Sequence, residues 1–600
     1  MKKSFLVSKL ETISDGVFFI PLLIYHLIFL FQGIDFADEG FHATFYQQIF
    51  THPESMIANF MYWLTGIVGG SFYYLFPNWG LFGLRIQGVA IIFSTMLIVY
   101  YLLKDYISLL HLRLGILILV LFTTNEIKEM HYDTQAALLN VSSALFLFKG
   151  LKDNKYYKIA LSGAFISLSM FTRVPSIVLL VFGVAIIYYG LINKQRCTFI
   201  IRQIFFLFVG FLLTTIAVLL FMKWIGHLSY YVETLKIVFD WGSSAEDSHN
   251  ITRLIKVFIN DYSQSIKYAL LIIIFLFILN TLNHLRLKNT LLKSHVVTKA
   301  IKIGVICIFL YLIFKQHITY SRVIMIFSGF SLITALLIVI SSNYTKEIKL
   351  LTLLGVLILF LQPLGSAWGL STAGRHSLWI IFPITIDYLF NLKTINGKLR
   401  LSTGSDENIL KIAAGQDQLA IFKVFFIGFS LFVCVYFSYY YPYFDMSDRI
   451  KMTSSIDNKL AKGIFTTKER AKVINELLAE SSKYIKKDDT VLAYDCMPMF
   501  HFLTETRPYM SNTWPWLYVP EAFKFELLKA SNLSNELPVI ILQKVNTLNT
   551  DWPENNYRIV QKTKPELMRD SILNEFMKVK LYEKVWENKA FEIRVPEKHF

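Results

Sequence analysis

The chain has 600 residues, of which 54% are hydrophobic and only 17% are charged, whereas soluble proteins carry about 25% charged residues. Its net charge is +16. This composition excludes a single soluble globule, because too little polar surface is present to cover it, and it excludes a disordered or collagen-like chain. In so apolar a chain, positive charge is more typical of the cytoplasmic loops of a membrane protein than of a nucleic-acid-binding protein.

Apolar stretches of the length that crosses a bilayer, roughly 17–25 residues, recur from residue 16 to residue 441. We therefore predict an α-helical polytopic membrane protein with about thirteen spans. The predicted spans are 16–33, 81–103, 112–124, 133–149, 159–172, 174–192, 203–225, 264–283, 300–314, 323–342, 350–363, 378–391 and 421–441. The four cysteines give neither a disulfide framework nor zinc-ligand spacing.

Lysine and arginine fall on alternate loops, which predicts the orientation of the chain. Loop 34–80 has no lysine or arginine and is predicted outside. The N-terminus is predicted inside, and an odd number of spans then puts residues 442–600 outside. The basic residues that mark the inside are Lys2, Lys3, Lys9, Lys149, Lys152, Lys155, Lys158, Lys194, Arg196, Arg202, Arg286, Lys288, Lys293, Lys299, Lys393, Lys398 and Arg400.

Residues 442–600 differ in character from the transmembrane domain predicted for residues 1–441. Thr466 and Glu469 have the spacing of a capping box and predict the start of an amphipathic helix. Short β-branched runs predict strands. The interleaving of helices and strands indicates a soluble C-terminal α/β domain. The predicted strands are 490–495, 539–542 and 591–595.

The first outside loop carries three acids, Asp35, Asp38 and Glu39, directly after a predicted span. Carboxylates that repel one another and lose water have raised pKa values, which makes one of them usable as a general base. An ordinary solvated loop is the alternative. His42 lies four residues after Asp38, a spacing that metal ligands share on a helix, but one such pair does not establish a metal site and we predict none.

The second outside loop contains Glu129, a candidate substrate contact, and Asp133, which begins the fourth predicted span. An acid at a helix N-terminus stabilises the helix by itself. Asp133 is therefore a candidate both for helix capping and for catalysis, and the two roles are compatible.

Arginines recur at the outer ends of spans. Arg173 lies between two apolar stretches and Arg375 directly precedes another. A phosphate is a suitable partner for a guanidinium at the membrane surface, and snorkelling towards lipid headgroups is the alternative. Further candidate substrate contacts near the outer surface are Tyr320 and Arg322.

Taken in chain order, these landmarks resemble the type C glycosyltransferase superfamily. The resemblance is to the branch that holds the protein O-mannosyltransferases and the lipid A aminoarabinose transferases. Arg173 stands where that branch has lysine, and His376 where it has tyrosine. The segments that carry the resemblance are Asp38-Glu39, Leu84-Arg-Ile86, Asp133, Thr172-Arg-Val-Pro175, Arg375-His-Ser-Leu-Trp-Ile-Ile-Phe-Pro383 and Tyr494-Asp495 through Pro508.

The resemblance implies a sugar transfer, with inversion, from a polyprenyl-phosphate carrier to an acceptor hydroxyl on a lipid, a glycan or a protein. It implies a bacterial cytoplasmic membrane enzyme with no obligatory cofactor. Its catalytic residues would be Asp38, Glu39 and Asp133. The donor phosphate would be bound by Arg173, Arg375, His376 and Arg85, with Asp35 and His42 as further substrate contacts.

Three other classes of membrane protein remain as alternatives. One is a purely structural or receptor membrane protein, which would not need the acids around Asp38. A transporter or flippase would show internal repeats and charges near the bilayer centre, whereas the candidate charges here lie at the outer ends of spans. An O-antigen polymerase or ligase also acts on lipid-linked glycans, but would place its large polar region in an internal loop rather than at the C-terminus.

Overall fold

A computed structural model describes residues 11–123, 128–243, 250–288, 304, 319–393, 395–403, 406–414, 416–440, 445, 448–533, 536–548, 551–553 and 562–597. Helices dominate it. The α-helices are α1 Asp15–Ile28, α2 Asp38–Gln48, α3 Trp63–Leu75, α4 Gly80–Leu103, α5 Leu109–Thr123, α6 Tyr132–Lys152, α7 Tyr156–Thr172, α8 Phe182–Ile192, α9 Cys197–Trp224, α10 Leu228–Ser243, α11 Ile251–Lys288, α12 Tyr320–Ile340, α13 Lys346–Leu361, α14 Leu370–Ser377, α15 Ile381–Asn391, α16 Gln416–Tyr440, α17 Lys468–Ser481, α18 Met499–Thr504, α19 Pro520–Leu533 and α20 Lys564–Val579.

Twelve of the predicted spans coincide with helices of the structure, and the remaining one, 300–314, lies outside the described residues except at residue 304. Helices form there because a bilayer offers no partner for backbone polar groups, so each segment must satisfy its own. The chain is thus a multi-pass membrane protein, while the number of spans stays a prediction. Within the described residues, the helices long and apolar enough to cross a membrane by themselves are Pro77–Leu103, Val174–Ile192, Cys197–Trp224, Tyr320–Ile340 and Phe422–Tyr440.

Small residues let α7 and α9 approach within backbone contact. A Cβ atom on Gly163 would lie 1.9 Å from the carbonyl oxygen of Leu207, and one on Gly210 would lie 1.8 Å from that of Ala160. In lipid, where helices gain little from excluding water, such close packing is a main source of helix association. The opposite side of α9 leaves large apolar side chains such as Phe205 exposed, as a lipid-facing helix does.

The loops predicted to lie outside are found at one end of the helices, and basic residues are found at the other end. α4 begins at Gly80, where a Cβ atom would lie 2.2 Å from the carbonyl oxygen of Leu460 in the C-terminal region. It ends beside Lys104. α6 begins at Tyr132 next to the first loop and ends at Lys152. The segments predicted outside therefore gather at one end of these helices.

The C-terminal region contains a five-stranded mixed sheet with strand order β6-β5-β7-β9-β8. β5 pairs in parallel with β6 and β7, whereas β9 pairs antiparallel with β7 and β8. The sheet strands are β5 Thr490–Tyr494, β6 Arg507–Pro508, β7 Val539–Gln543, β8 Tyr582–Glu587 and β9 Phe591–Pro596. They include the three strands predicted from the sequence.

The two faces of this sheet pack against different partners, because successive side chains of a strand point to opposite sides. Val491 and Ala493 of β5 pack in a core that includes Ile474 of α17 and residues of the first loop. Leu492 packs on the other face with α19 and α20, for example Phe523. The sheet thus lies between α17 with the membrane-side loops and the α19–α20 pair.

Two local features differ from the sequence predictions. The N-cap of α17 is Thr467, whose Oγ1 accepts from the backbone of Arg470. Thr466, the predicted cap, instead donates its hydroxyl to Asp445 Oδ2 at 3.2 Å. It belongs to β4, Phe465–Thr466, which pairs with β3, Ser454–Ser455. The second feature is an antiparallel hairpin, β1 Ile395–Thr403 with β2 Asp406–Ala414, in the predicted inside loop.

Candidate active site

The first loop is folded by reciprocal hydrogen bonds between two of its acids. Asp35 Oδ1 accepts from the backbone N–H of Ala37 at 2.8 Å, and Asp35 Oδ2 accepts from that of Glu39 at 3.0 Å. Glu39 Oε2 accepts in return from the backbone of Asp35 at 3.3 Å. These bonds satisfy donors at the start of α2, and they fix the position of Asp38, the first residue of the helix, which is half-buried.

Arg85 of α4 holds this loop through a buried two-point ion pair. Its Nε and Nη2 donate to the two carboxylate oxygens of Glu39 at 2.6 and 2.8 Å. Its Nη1 and Nη2 also donate to the carbonyls of Leu30 and Gly33 at 2.6 and 2.8 Å. The structure thus places Arg85 and Glu39 together as a clamp on the loop, with all three guanidinium nitrogens engaged by protein atoms.

Glu129 lies beside this pair and is completely buried. Burial, together with the neighbouring charge of Glu39, raises the pKa of Glu129 well above its usual range. Neither carboxylate oxygen has a hydrogen-bond partner in the part of the chain that the structure describes. Burial and the charge of Asp38 likewise raise the pKa of Asp35. Glu129 of the second outside loop therefore lies close to Asp35 and Glu39 of the first.

Asp38 and Asp133 both lie near a pair of stacked tyrosines. The rings of Tyr62 and Tyr132 lie 4.1 Å apart and nearly parallel, at 8°. Burial raises the pKa of Tyr62 to about 12, with the charge of Arg173 opposing the rise and those of Asp133 and Asp38 adding to it. All three charged groups thus lie close enough to act on one phenol, although their sequence positions span more than a hundred residues.

Arg173 faces Asp133 across a loose ion pair. Its Nε lies 3.7 Å from Asp133 Oδ1, and both side chains are buried. Arg173 also donates to the carbonyl of Gln362, and Gln362 Nε2 donates to the backbone carbonyl of Asp133 at 3.4 Å. Asn140 Nδ2 donates to Gln362 Oε1 at 3.3 Å. This amide network positions the arginine at the ends of α6, α7 and α13.

A row of histidines connects α2 to α14. The ring of His42 lies 6.1 Å from that of His131, which lies 5.5 Å from that of His376. Burial and the neighbouring His131 lower the pKa of His42 well below its usual range, which favours its neutral form. His131 is the N-cap residue of α6, with its N–H bonded to Thr134 Oγ1 at 3.1 Å. Asp133 accordingly lies inside the first helical turn rather than at the cap.

Arg375 and Tyr320 lie next to this row. The guanidinium of Arg375 stacks over the Tyr320 ring at 4.4 Å, and the Tyr320 hydroxyl donates to the carbonyl of Phe122 at 2.7 Å. Arg375 is buried, and a desolvated cation over an aromatic face is held firmly. Arg322 is half-buried in the first turn of α12.

The C-terminal region covers α2. The backbone N–H of Met499 donates to the carbonyl of Phe36 at 3.0 Å, and Thr44 Oγ1 donates to the carbonyl of Pro498 at 3.1 Å. A Cβ atom on Gly40 would lie 2.1 Å from the Met499 nitrogen. The segment from Tyr494 to Pro508, which carries part of the sequence resemblance, is thus the one that rests on the loop carrying Asp38.

Residues of the site that sequence reasoning missed are neutral and polar. Tyr62, Asn140 and Gln362 were not predicted, and His131 was only part of an outside loop. A polar side chain inside an otherwise apolar stretch was the available signal for Asn140 and Gln362. No group of three His, Cys, Asp or Glu side chains arranged to hold a metal ion is found among the described residues.

Comparisons with known proteins give a remote likeness only. No family model and no curated protein matches the chain. Crystal structures of ArnT from Cupriavidus metallidurans match it at 8% identity. The structure bound to undecaprenyl phosphate covers 97% of this chain and 98% of its own with a TM-score of 0.37. The apo structure covers 96% and 97% with a TM-score of 0.36. At such a TM-score this likeness assigns neither an activity nor a ligand to this chain.

Proposed function

We propose that the protein is a membrane glycosyltransferase that moves a sugar from a polyprenyl-phosphate carrier to an acceptor hydroxyl. The observation that carries this proposal is the buried Arg173–Asp133 pair, with Nε and Oδ1 3.7 Å apart, next to the stacked Tyr62 and Tyr132 rings, with Asp38 near enough for its charge to act on Tyr62. This transfer requires a base and a cation in one site, because a proton leaves the nucleophile while a phosphate leaves the sugar.

In the proposed reaction the acceptor oxygen attacks the anomeric carbon from the face opposite the phosphate. Its proton passes to the Asp38 carboxylate. The bond between the anomeric carbon and the phosphate oxygen breaks, and that oxygen keeps the electron pair. A single displacement of this kind inverts the anomeric centre. Asp38 suits the role of base because the Glu39–Arg85 clamp fixes the helix that carries it.

We assign the departing phosphate to Arg173 and Arg375. A separation of 3.7 Å between Arg173 and Asp133 is long for an ion pair, so a phosphate can displace the carboxylate, and phosphate oxygens fit the guanidinium fork. Arg375 and the neighbouring His376 would approach from α14. Arg85 is less suited to this role than Arg173, since its nitrogens are already bonded to Glu39, Leu30 and Gly33.

We further propose that this end of the protein faces outward from a bacterial cytoplasmic membrane, with residues 442–600 outside. The lysines and arginines of the predicted inside loops support this orientation. The donor would then be a lipid-linked sugar monophosphate such as an undecaprenyl-phosphate sugar, because nucleotide sugars are not supplied on that side. A glycine-rich phosphate loop that would cradle a nucleotide is not evident in the sequence.

Transfer by the purified protein in detergent tests the proposal. The acceptor is an envelope extract from cells that lack the gene, and the donor is either a polyprenyl-phosphate sugar or a nucleotide sugar. We expect turnover with the lipid donor. Asp38→Asn should lower it by about 10²–10⁴-fold, the usual contribution of a general base.

Glu54→Gln is the matched control. Glu54 is an exposed acid of the same loop, and its amide variant should turn over like the wild type. Turnover with the nucleotide sugar and none with the lipid donor would contradict the donor assignment. Near-normal turnover by Asp38→Asn would remove Asp38 from the role of base.

A further inference from the structure

Two tryptophans of the C-terminal region lie beside α2. The rings of Trp514 and Trp516 are 5.8 Å apart and tilted by only 28°. Trp514 in turn lies 6.1 Å from Phe41 of α2, and Phe41 lies 6.4 Å from Tyr62. Aromatic contacts therefore run from the tryptophan pair to the tyrosine beside the candidate base.

The orientation of Trp516 is fixed although its side chain is only half-buried. Its Nε1 donates to Glu566 Oε1 at 3.1 Å. The other oxygen of Glu566 accepts from the N–H and the hydroxyl of Thr563, at 2.6 and 2.8 Å, in the capping box of α20. An aromatic ring held in this way loses little freedom when a ligand stacks on it.

Charged groups with unused hydrogen-bonding capacity lie beside the tryptophans. Arg569, one turn after Glu566, is buried, and its Nη1 donates to the carbonyl of Tyr518 at 3.1 Å. Its Nη2 lies 3.8 Å from Asp495 Oδ2. Arg569 Nε and Nη2 and Asp495 Oδ1 have no hydrogen-bond partner in the described parts of the chain. Unmet capacity of this kind is costly unless a ligand supplies the partner.

The Trp514 indole adds a further donor. Trp514 is 7% exposed, and its Nε1 lies beside the Cys496 thiol, a weak acceptor, with no stronger partner among the described residues. Burial raises the pKa of Asp495 to about 7, against the opposing charge of Arg569. Near neutral pH, Asp495 is therefore available both as donor and as acceptor.

We propose that Trp514, Trp516, Asp495 and Arg569 form a carbohydrate subsite that binds a neutral pyranose ring of the acceptor. A pyranose has an apolar face that stacks on an aromatic ring and hydroxyl edges that pair with a carboxyl and a guanidinium group. Ligand sites in general combine an aromatic lining with a few fixed polar groups. The carboxyl groups of Asp495 and Glu566 disfavour an anionic ligand. The inference rests on the proposed function in naming the sugar as acceptor, and it narrows the acceptor to a glycan.

Binding is measured on the purified full-length protein by titration calorimetry, in a detergent without a sugar headgroup. The probes are maltohexaose, cellohexaose and chitohexaose. We expect the wild type to bind at least one of them saturably, with at least tenfold weaker binding by Trp516→Ala and by the isosteric variant Asp495→Asn. Trp586→Phe is the matched control, since Trp586 is another half-buried tryptophan of the same region, and it should bind like the wild type.

The binding results separate the carbohydrate subsite from the proposed transfer. Absence of binding to all three probes by the wild type, or wild-type binding by both Trp516→Ala and Asp495→Asn, overturns the carbohydrate subsite. Asp38→Asn should keep wild-type binding, because the subsite does not depend on the base. Binding that requires Trp516 in a protein that never uses the lipid donor would leave the subsite standing and refute the proposed transfer instead.

Discussion

The buried Glu39–Arg85 ion pair holds three segments of the chain together. Its two side chains are buried, and they join the segment after α1, the start of α2 and the first turns of α4. Removing one partner of such a pair leaves an uncompensated buried charge, which usually costs about 3–5 kcal/mol. The candidate base therefore depends for its position on a residue that need not touch a substrate.

We expect Arg85→Met to lower the melting temperature of the purified protein markedly, because Glu39 then stays buried without its cation. The double variant Glu39→Gln/Arg85→Met should recover part of the loss. Arg202→Met is the control: Arg202 is exposed and stacks over Tyr156 at 4.7 Å, an interaction that contributes only about 0.5–1 kcal/mol. Equal melting temperatures for Arg85→Met and the wild type would show that the clamp is dispensable.

At the scale of residues, the site residues that could be predicted from the sequence were mainly the charged ones. Arg173 and Arg375 can be recognised as candidate site residues because a charge at the end of an apolar stretch needs a partner. The partner of Arg85 is not recognisable, since Glu39 lies 46 positions away in another segment. Gln362 carries no charge and lies at the end of an apolar run, so only the folded chain shows that it bonds to Arg173.

At the scale of elements, apolar length predicted the helices well, because a bilayer leaves little other choice of backbone structure. Capping was less predictable. Thr466 and Thr467 both suit an N-cap, and the ion pair of Asp445 with Arg470, which brings Asp445 next to Thr466, decides between them. Local sequence cannot contain that tertiary contact.

The contact of α2 with α18 yields a prediction at this scale. Gly40→Ala would put a Cβ atom 2.1 Å from the nitrogen and 2.4 Å from the Cα atom of Met499, so one helix must move. Overpacking of this kind costs about 1–3 kcal/mol or more. We expect a lower melting temperature and at least about tenfold slower transfer, because the Phe36–Met499 hydrogen bond and the position of Asp38 change together.

Gly183→Ala is the control for this change. No atom lies within 4 Å of the corresponding Cβ position in α8, and alanine is favoured over glycine in a helix by about 1 kcal/mol. The Gly183 variant should thus be as active as the wild type and at least as stable. If Gly40→Ala behaves in the same way, the C-terminal region does not hold α2 as described.

At the scale of the whole molecule, direct contacts put the first loop and the C-terminal sheet on the same end of the helices. The predicted orientation makes that end external. We expect Lys524→Cys to react with a membrane-impermeant thiol reagent in intact cells, and Lys152→Cys to react only after lysis. Both positions are exposed, and the background carries Cys197→Ser and Cys307→Ser. Labelling of Lys152→Cys alone in intact cells would reverse the orientation.

The bond between Thr44 and Pro498 joins residues 454 positions apart, and this has a consequence for biosynthesis. At about 5–20 residues per second, a ribosome needs roughly 20–90 s to travel that distance. During this time α2 has been made but lacks the segment that covers it, in which Pro498 accepts from the Thr44 hydroxyl and Met499 donates to the carbonyl of Phe36, just before the helix. A nascent chain, or one stopped before Pro498, therefore carries Asp38, the candidate base, on an uncovered helix. Full assembly of the site is among the last events in the maturation of the protein.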